Sequence, residues 1–184
     1  MIILPDVYHN NSWPIVPTPL AVIHKLTQGA GFVDPLCASR MAGSTPFPGK
    51  RGFYHFSSGA DPALQAAHFV SQLASVGYIG ERDLLCLDFE HSTDGTADMT
   101  NDAAVDWIAR VEEATGATVC VYGSDMLVAA LQAGEFARQP LWHACYDPVE
   151  KPLPNGRTSV LWQYTGDDLN RITEANFGMW PDWN

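Results

Sequence analysis

Residues Leu84-Leu85-Cys86-Leu87-Asp88-Phe89-Glu90 carry an apolar run straight into two carboxylates separated by one residue. A run apolar at every position suits a strand covered on both faces, as in a parallel sheet, rather than one with a face in water. Alternate residues of a strand share a face, so Asp88 and Glu90 project together, their Cα atoms about 6.5–7 Å apart. Like charges repel and burying them is costly, so such an ending calls for a reason. A solvated strand-to-loop junction without a role is the plain reason. Carboxylate chemistry at a strand end is the other, and further features of the chain converge on it.

The remaining pattern alternates strand-like and helix-like segments. Ile2 to Val7 and Ala21 to Thr27 read as strands, followed by a short helical patch from Pro35 to Met41. Arg51 to Phe56 is a third strand. Asp61-Pro62 then opens a helix, the Asp capping free amides and the Pro suiting the first turn. Asp83 to Phe89 is the fourth strand. Thr100 or Asn101 caps a helix to Gly116, with Val105, Ile108 and Val111 on its buried side. Thr118 to Tyr122 is the fifth strand, and Ser124 or Asp125 starts a helix reaching about Arg138. Leu141 to Tyr146, Ser159 to Tyr164 and Ile172 to Phe177 then read as strands without intervening helices. Five βα-type units followed by a β-rich tail imply an α/β protein with a parallel sheet. In such sheets, sites lie at the carboxyl ends of the strands, where Asp6, His55, Asp88, Glu90 and Tyr122 fall. With no repeat, low-complexity tract or linker in view, residues 1–184 are expected to form one domain.

Charge narrows the partners. A net charge of −11 disfavours nucleic acid and anionic membranes, which need clustered Lys and Arg. No apolar run is long enough to span a membrane. The N-terminus lacks a signal-type segment, so the chain is expected to be made in the cytoplasm unless a leader has been removed. Cys37, Cys86, Cys120 and Cys145 form no CxxC pair and are expected to be buried thiols.

Polar and aromatic groups follow apolar runs at Asp6, at Tyr54-His55, at Asp88-Phe89-Glu90 and at Tyr122, and Trp142 and Trp162-Gln163-Tyr164 add aromatic surface. Carboxylates beside aromatic platforms suit carbohydrate, and glycoside hydrolysis needs a proton donor and a second stabilising group. In order and spacing, Asp6-Val7-Tyr8-His9, Lys25-Leu26-Thr27-Gln28-Gly29, Gly52-Phe53-Tyr54-His55-Phe56, Leu87-Asp88-Phe89-Glu90 and Trp162-Gln163-Tyr164 resemble the glycoside hydrolase family 25 lysozymes, which are N-acetylmuramidases. The resemblance implies a flattened, irregular TIM-like barrel of five βα units and three further strands. It implies Glu90 as general acid, with Asp88 and Asp6 as ionised partners. These would orient the substrate's own acetamido group, act as a direct nucleophile, or activate water. Tyr54, Tyr122, Trp142, Gln163 and Glu174 are the expected substrate-binding residues.

Three departures from the family pattern stand out. Tyr8 replaces a usual Ser, Gln28 a usual Glu, and Glu174 in Thr173-Glu174-Ala175-Asn176-Phe177 takes the place of the Asp in a late Val-Asp-x-Asn pattern. The implied partner is the glycan strand of peptidoglycan, met by a monomer without cofactor or metal at a cell wall, during host lysis or after export as an effector. Two other readings stay open at this level. His55, Asp88, Glu90 and His91 are ligand types for a metal-dependent polysaccharide deacetylase, although no HxxH or HExxH spacing supports it. A glycan-binding module without catalysis is the other. Of the remaining aromatics, Trp107 reads as core, and Trp180 and Trp183 as cover for an open edge of the barrel.

Overall fold

The computed structural model describes residues 1–93 and 95–181. In chain order the elements are β1 (Ile2–Val7), β2 (Ala21–Gln28), β3 (Phe32–Val33), α1 (Cys37–Ala42), β4 (Lys50–Phe56), α2 (Pro62–Gln72), β5 (Leu84–Asp88), α3 (Asn101–Thr115), β6 (Val119–Gly123), α4 (Asp125–Gln132), β7 (Leu141–Ala144), β8 (Leu161–Thr165), β9 (Leu169–Ile172) and α5 (Glu174–Gly178). The sheet runs β1-β9-β8-β7-β6-β5-β4-β2 and closes through β1–β2, with β3 hairpinned onto β2. The result is an eight-stranded barrel. Pairing is parallel from β1 through β2, β4, β5, β6 and β7 to β8, and antiparallel on both sides of β9. Helices cross over after β2, β4, β5 and β6, whereas the crossover from β1 to β2 has no helix among the described residues.

Period-two alternation splits each strand between two cores. Leu4, Ala21, Ile23, Tyr54, Leu84, Cys86, Cys120, Tyr122, Trp142 and Leu161 point into the barrel. Val7, Val22, Leu26, Phe53, Leu85, Leu87, Val119, Val121 and Leu141 point out, under the helices. Both sets are apolar, and this is why the strands read as unbroken hydrophobic runs. Trp107 is fully buried in the outer core, stacked on His55 with ring centroids 5.1 Å apart. Trp180 is a plug rather than an edge cover. It packs with the inner core at the amino-terminal end of the barrel, its indole donating to the Arg51 carbonyl at 3.3 Å. Trp183 lies outside the described residues.

Three elements differ from the sequence reading, the first being the short strand β3, which it does not contain. The helix expected to reach Arg138 stops at Gln132, because Gly134 takes a left-handed conformation with φ 91° and turns the chain. That turn lets Phe136 drop into the outer core beside Phe89. The last strand is Leu169–Ile172, not Ile172 to Phe177. The Thr173 side chain accepts from the Asn176 amide at 3.1 Å and starts α5.

Candidate active site

At the mouth of the barrel the inner positions of most strands carry polar or aromatic side chains. Register sets Phe56 beside Asp88, Asp88 beside Tyr122, and Tyr122 beside Trp142 across β4, β5, β6 and β7. Gln163 pairs with Ala144 on one side and Asn170 on the other. Neighbouring strands lie about 4.8 Å apart, so this register puts the side chains in one ring. Their mouth is a cavity of about 360 Å³ lined by Asp6, Asp88, Glu90, Asp168, Tyr54, Tyr122, Trp142, Gln163 and Lys25, among others.

The structure therefore brings Asp6, Asp88, Glu90, Tyr54, Tyr122, Trp142 and Gln163 together. It does not bring Glu174. That residue opens α5, its exposed side chain pairing with the chain's amino group at 3.8 Å. The late acid at the cavity is Asp168, in the turn between β8 and β9. Because β9 runs antiparallel, the start of this strand, not its end, meets the carboxyl ends of the others. Asp168-Leu169-Asn170 keeps the Asp-x-Asn spacing that the sequence reading looked for at Glu174.

Asp6 is buried, and its Oδ1 accepts from Gln163 Nε2 at 2.9 Å and Asn170 Nδ2 at 2.7 Å. Burial nevertheless lifts its carboxyl to about 7, with Asp168 adding repulsion. Asp88 is pushed well up by burial and then by Glu90 beside it, Lys25 opposing the rise. Its Oδ1 is buried with no hydrogen-bond partner among the described residues. Glu90, partly buried two residues beyond the end of β5, is also raised by burial, Lys25 and His91 pulling the other way. Lys25 is buried in the same mouth, its Nζ donating to Gln28 Oε1 at 2.5 Å and lying over the Phe56 ring. At Gln28, where the family pattern has Glu, the lysine thus meets a neutral acceptor. With several carboxyls around one lysine, the protonated forms are favoured, the direction an acid catalyst requires.

His55 sits outside this cluster. It points to the outer core, its nitrogens within hydrogen-bonding distance of Thr27 Oγ1 and Gln65 Oε1, and burial drops it to about 3. It is a neutral core histidine, bonded to side chains. His91 is exposed on the loop after β5, between Asp98 and Asp125. The set proposed for a metal-dependent deacetylase is therefore not assembled. Among the described residues, no three His, Cys, Asp or Glu are arranged to hold a metal ion.

A family model for glycosyl hydrolases family 25 matches residues 11–170. The chain belongs to glycosyl hydrolase family 25. Among solved structures, the family 25 glycosyl hydrolase from Bacillus anthracis is similar at 18% identity and TM-score 0.78, over 96% of this chain and 92% of that one. A muramidase from Trichobolus zukalii is similar at 21% identity and TM-score 0.75, over 94% of both chains. The catalytic domain of endolysin ply40, from bacteriophage P40 of Listeria monocytogenes, is similar at 20% identity and TM-score 0.74, over 97% and 96%. No curated protein matches the sequence. As a family 25 enzyme the chain is a glycoside hydrolase, and the carboxyl-lined mouth is its candidate active site. No helix among the described residues is long and apolar enough to cross a membrane.

Sequence reasoning missed four contributors. Lys25 stood in a quoted motif without a role, Asp168 and Asn170 stood behind Glu174, and Tyr146 ended a strand-like run. The Tyr146 hydroxyl donates to Gln163 Oε1 at 2.8 Å. Only the Asp-x-Asn spacing was a usable signal.

Proposed function

We propose that this family 25 chain is a peptidoglycan muramidase that hydrolyses the β-1,4 bond from N-acetylmuramic acid to N-acetylglucosamine. The observation that carries the reading is the meeting of Asp6 with the Asp88–Glu90 pair in one aromatic-walled cavity. Glu90 is the proton donor: it is raised, yet open enough at the rim to meet the glycosidic oxygen. Asp88, with an oxygen lacking a donor, is suited to receive the acetamido N–H of the muramic acid and hold that group for attack on the anomeric carbon. Asp6 and Asp168 supply negative charge where the oxocarbenium-like transition state develops positive charge. Tyr54, Tyr122 and Trp142 offer ring surface to the sugar, with residues 1–184 acting as one catalytic domain.

Purified peptidoglycan digested with the protein and analysed by mass tests the reading. Products with reducing-end N-acetylmuramic acid are expected. Reducing-end N-acetylglucosamine would reassign the bond, and intact strands would reject hydrolysis. For its setting we favour a phage lysin acting on the host wall as a monomer, which the likeness to the ply40 catalytic domain supports. Lysis of cells when the protein reaches the wall, and none when it stays inside an intact membrane, is the expected behaviour.

A further inference from the structure

The aromatic residues around Asp6 also control which way its amide neighbours face. An indole N–H can donate but not accept. Trp142 Nε1 lies 2.6 Å from Asn170, so the atom it meets must be the amide oxygen. Asn170 then has to turn its NH2 inward, to Asp6 Oδ1 at 2.7 Å and the Leu4 carbonyl at 3.3 Å. Gln163 is held in the same sense. The hydroxyls of Tyr122 and Tyr146 lie 2.7 and 2.8 Å from its Oε1, and its Nε2 donates to the same Asp6 oxygen at 2.9 Å. Both amides thus converge on Oδ1, and the second oxygen of Asp6 takes no hydrogen bond from the described residues.

We propose that Trp142, backed by Tyr122 and Tyr146, is a positioning residue for Asp6: it locks two amides with their N–H groups inward, which favours the Asp6 anion and leaves one of its oxygens for the substrate. The proposal rests on the muramidase reading only for its catalytic consequence. Without the indole donor, Asn170 is free to turn its oxygen toward Asp6. A carboxylate is repelled by that oxygen, whereas a protonated carboxyl can bond to it, so the proton is held to higher pH. The other groups facing Asp6 do not supply the missing donor. They are Asp168 from the β8–β9 turn, Asp88 and Cys86 from β5, Tyr54 from β4, Tyr122 from β6 and Tyr146 after β7. Lys25 of β2 lines the same cavity and acts on Asp88 and Glu90.

The test is a carbon-13 NMR titration of the aspartate carboxyls in the full chain, with the Asp6 signal assigned by its loss in Asp6→Asn. Trp142→Phe keeps an aromatic ring and removes the donor. Its Asp6 midpoint is expected to rise by about one pH unit, the size of one lost hydrogen bond to a charged group. The acid limb of kcat/KM on peptidoglycan should move with it, giving about a ten-fold loss well below the midpoint. A sugar platform alone would raise KM and leave both the midpoint and the limb in place, and that result overturns the proposal. Should Trp142→Phe fail to fold, the double variant Tyr122→Phe/Tyr146→Phe decides, because it keeps both rings and removes both hydroxyls that hold Gln163 Oε1. An upward midpoint in that variant supports the lock, and a fixed midpoint overturns it. The titration uses no substrate. A moved midpoint in a protein that does not cut peptidoglycan would therefore reject the muramidase reading and keep the lock.

Discussion

At the scale of single residues, the division of labour between Asp88 and Glu90 follows from where each sits. Asp88 is the last residue of β5 and faces the barrel interior; Glu90 has the same parity but lies at the rim. Glu90→Gln keeps size and hydrogen bonding while removing the transferable proton. We expect kcat on peptidoglycan to fall by about 10²–10⁴-fold, with an unchanged circular dichroism spectrum. Undiminished turnover would take the acid role away from Glu90. Glu174→Gln is the matching control, since this exposed residue opens α5 away from the cavity. Its kcat/KM should stay within about two-fold of the parent, as for most surface changes. The same parity was readable in the sequence at Asp88 and Glu90. The late acid had only its Asp-x-Asn spacing as a signal, because Asp168 precedes an antiparallel strand and the turn of β8 into β9 carries it to the mouth.

At the scale of elements, helix starts were legible and some stops were not. Asp61 accepts from the Ala63 and Leu64 amides at 2.8 and 3.1 Å, and Thr100 from the Ala103 amide at 3.2 Å, as their cap chemistry implied. Gly134, with φ 91°, is the stop signal of α4, and the apolar Phe136 beyond it prolongs the helix-like pattern past the true end. One tie between elements depends on charge. Arg51, at the base of β4, pairs with buried Asp83 and donates to the carbonyls of Met41 in α1 and of Val76 and Gly77 before β5, at 2.9, 3.0 and 2.7 Å. Arg51→Leu would leave Asp83 buried beside only the partly exposed Arg82. Chemical denaturation should show a loss of about 3–5 kcal/mol. A loss under about 1 kcal/mol would mean that the pair adds little to holding these elements together.

At the scale of the whole molecule, the site sets how stability varies with pH. Asp6, Asp88, Glu90 and Asp168 all hold their protons more tightly in the fold than in the unfolded chain. Groups raised in this way stabilise the fold fully below their unfolded values, and the contribution is lost as pH rises through the folded ones. For Asp6 the window runs from 3.8 to about 7. Asp88 is raised in the same direction by burial and by Glu90, so Asp88→Asn removes a penalty that grows as pH rises and almost nothing at low pH. At pH 8 it should raise Tm by roughly 4–8 °C, corresponding to about 2 kcal/mol, and at pH 4 the melts of the two proteins should nearly coincide. An equal shift at both pH values would show that the effect is packing and not charge.

The sequence by itself determined the strands, most helix starts and the parity that turns Asp88 and Glu90 to one side, because these follow from short-range periodicity and cap chemistry. Asn170 and Asp168 reached Asp6 only when the barrel closed, because Asp6 lies on a strand distant in the chain, and Lys25 and Tyr146 joined the site through pairing of neighbouring strands. The hydrogen bond from Asn170 to Asp6 spans 164 residues, and no local pattern encodes a contact of that reach. Closure of β1 against β2 and β9 made those ends of the chain neighbours, and with them the site.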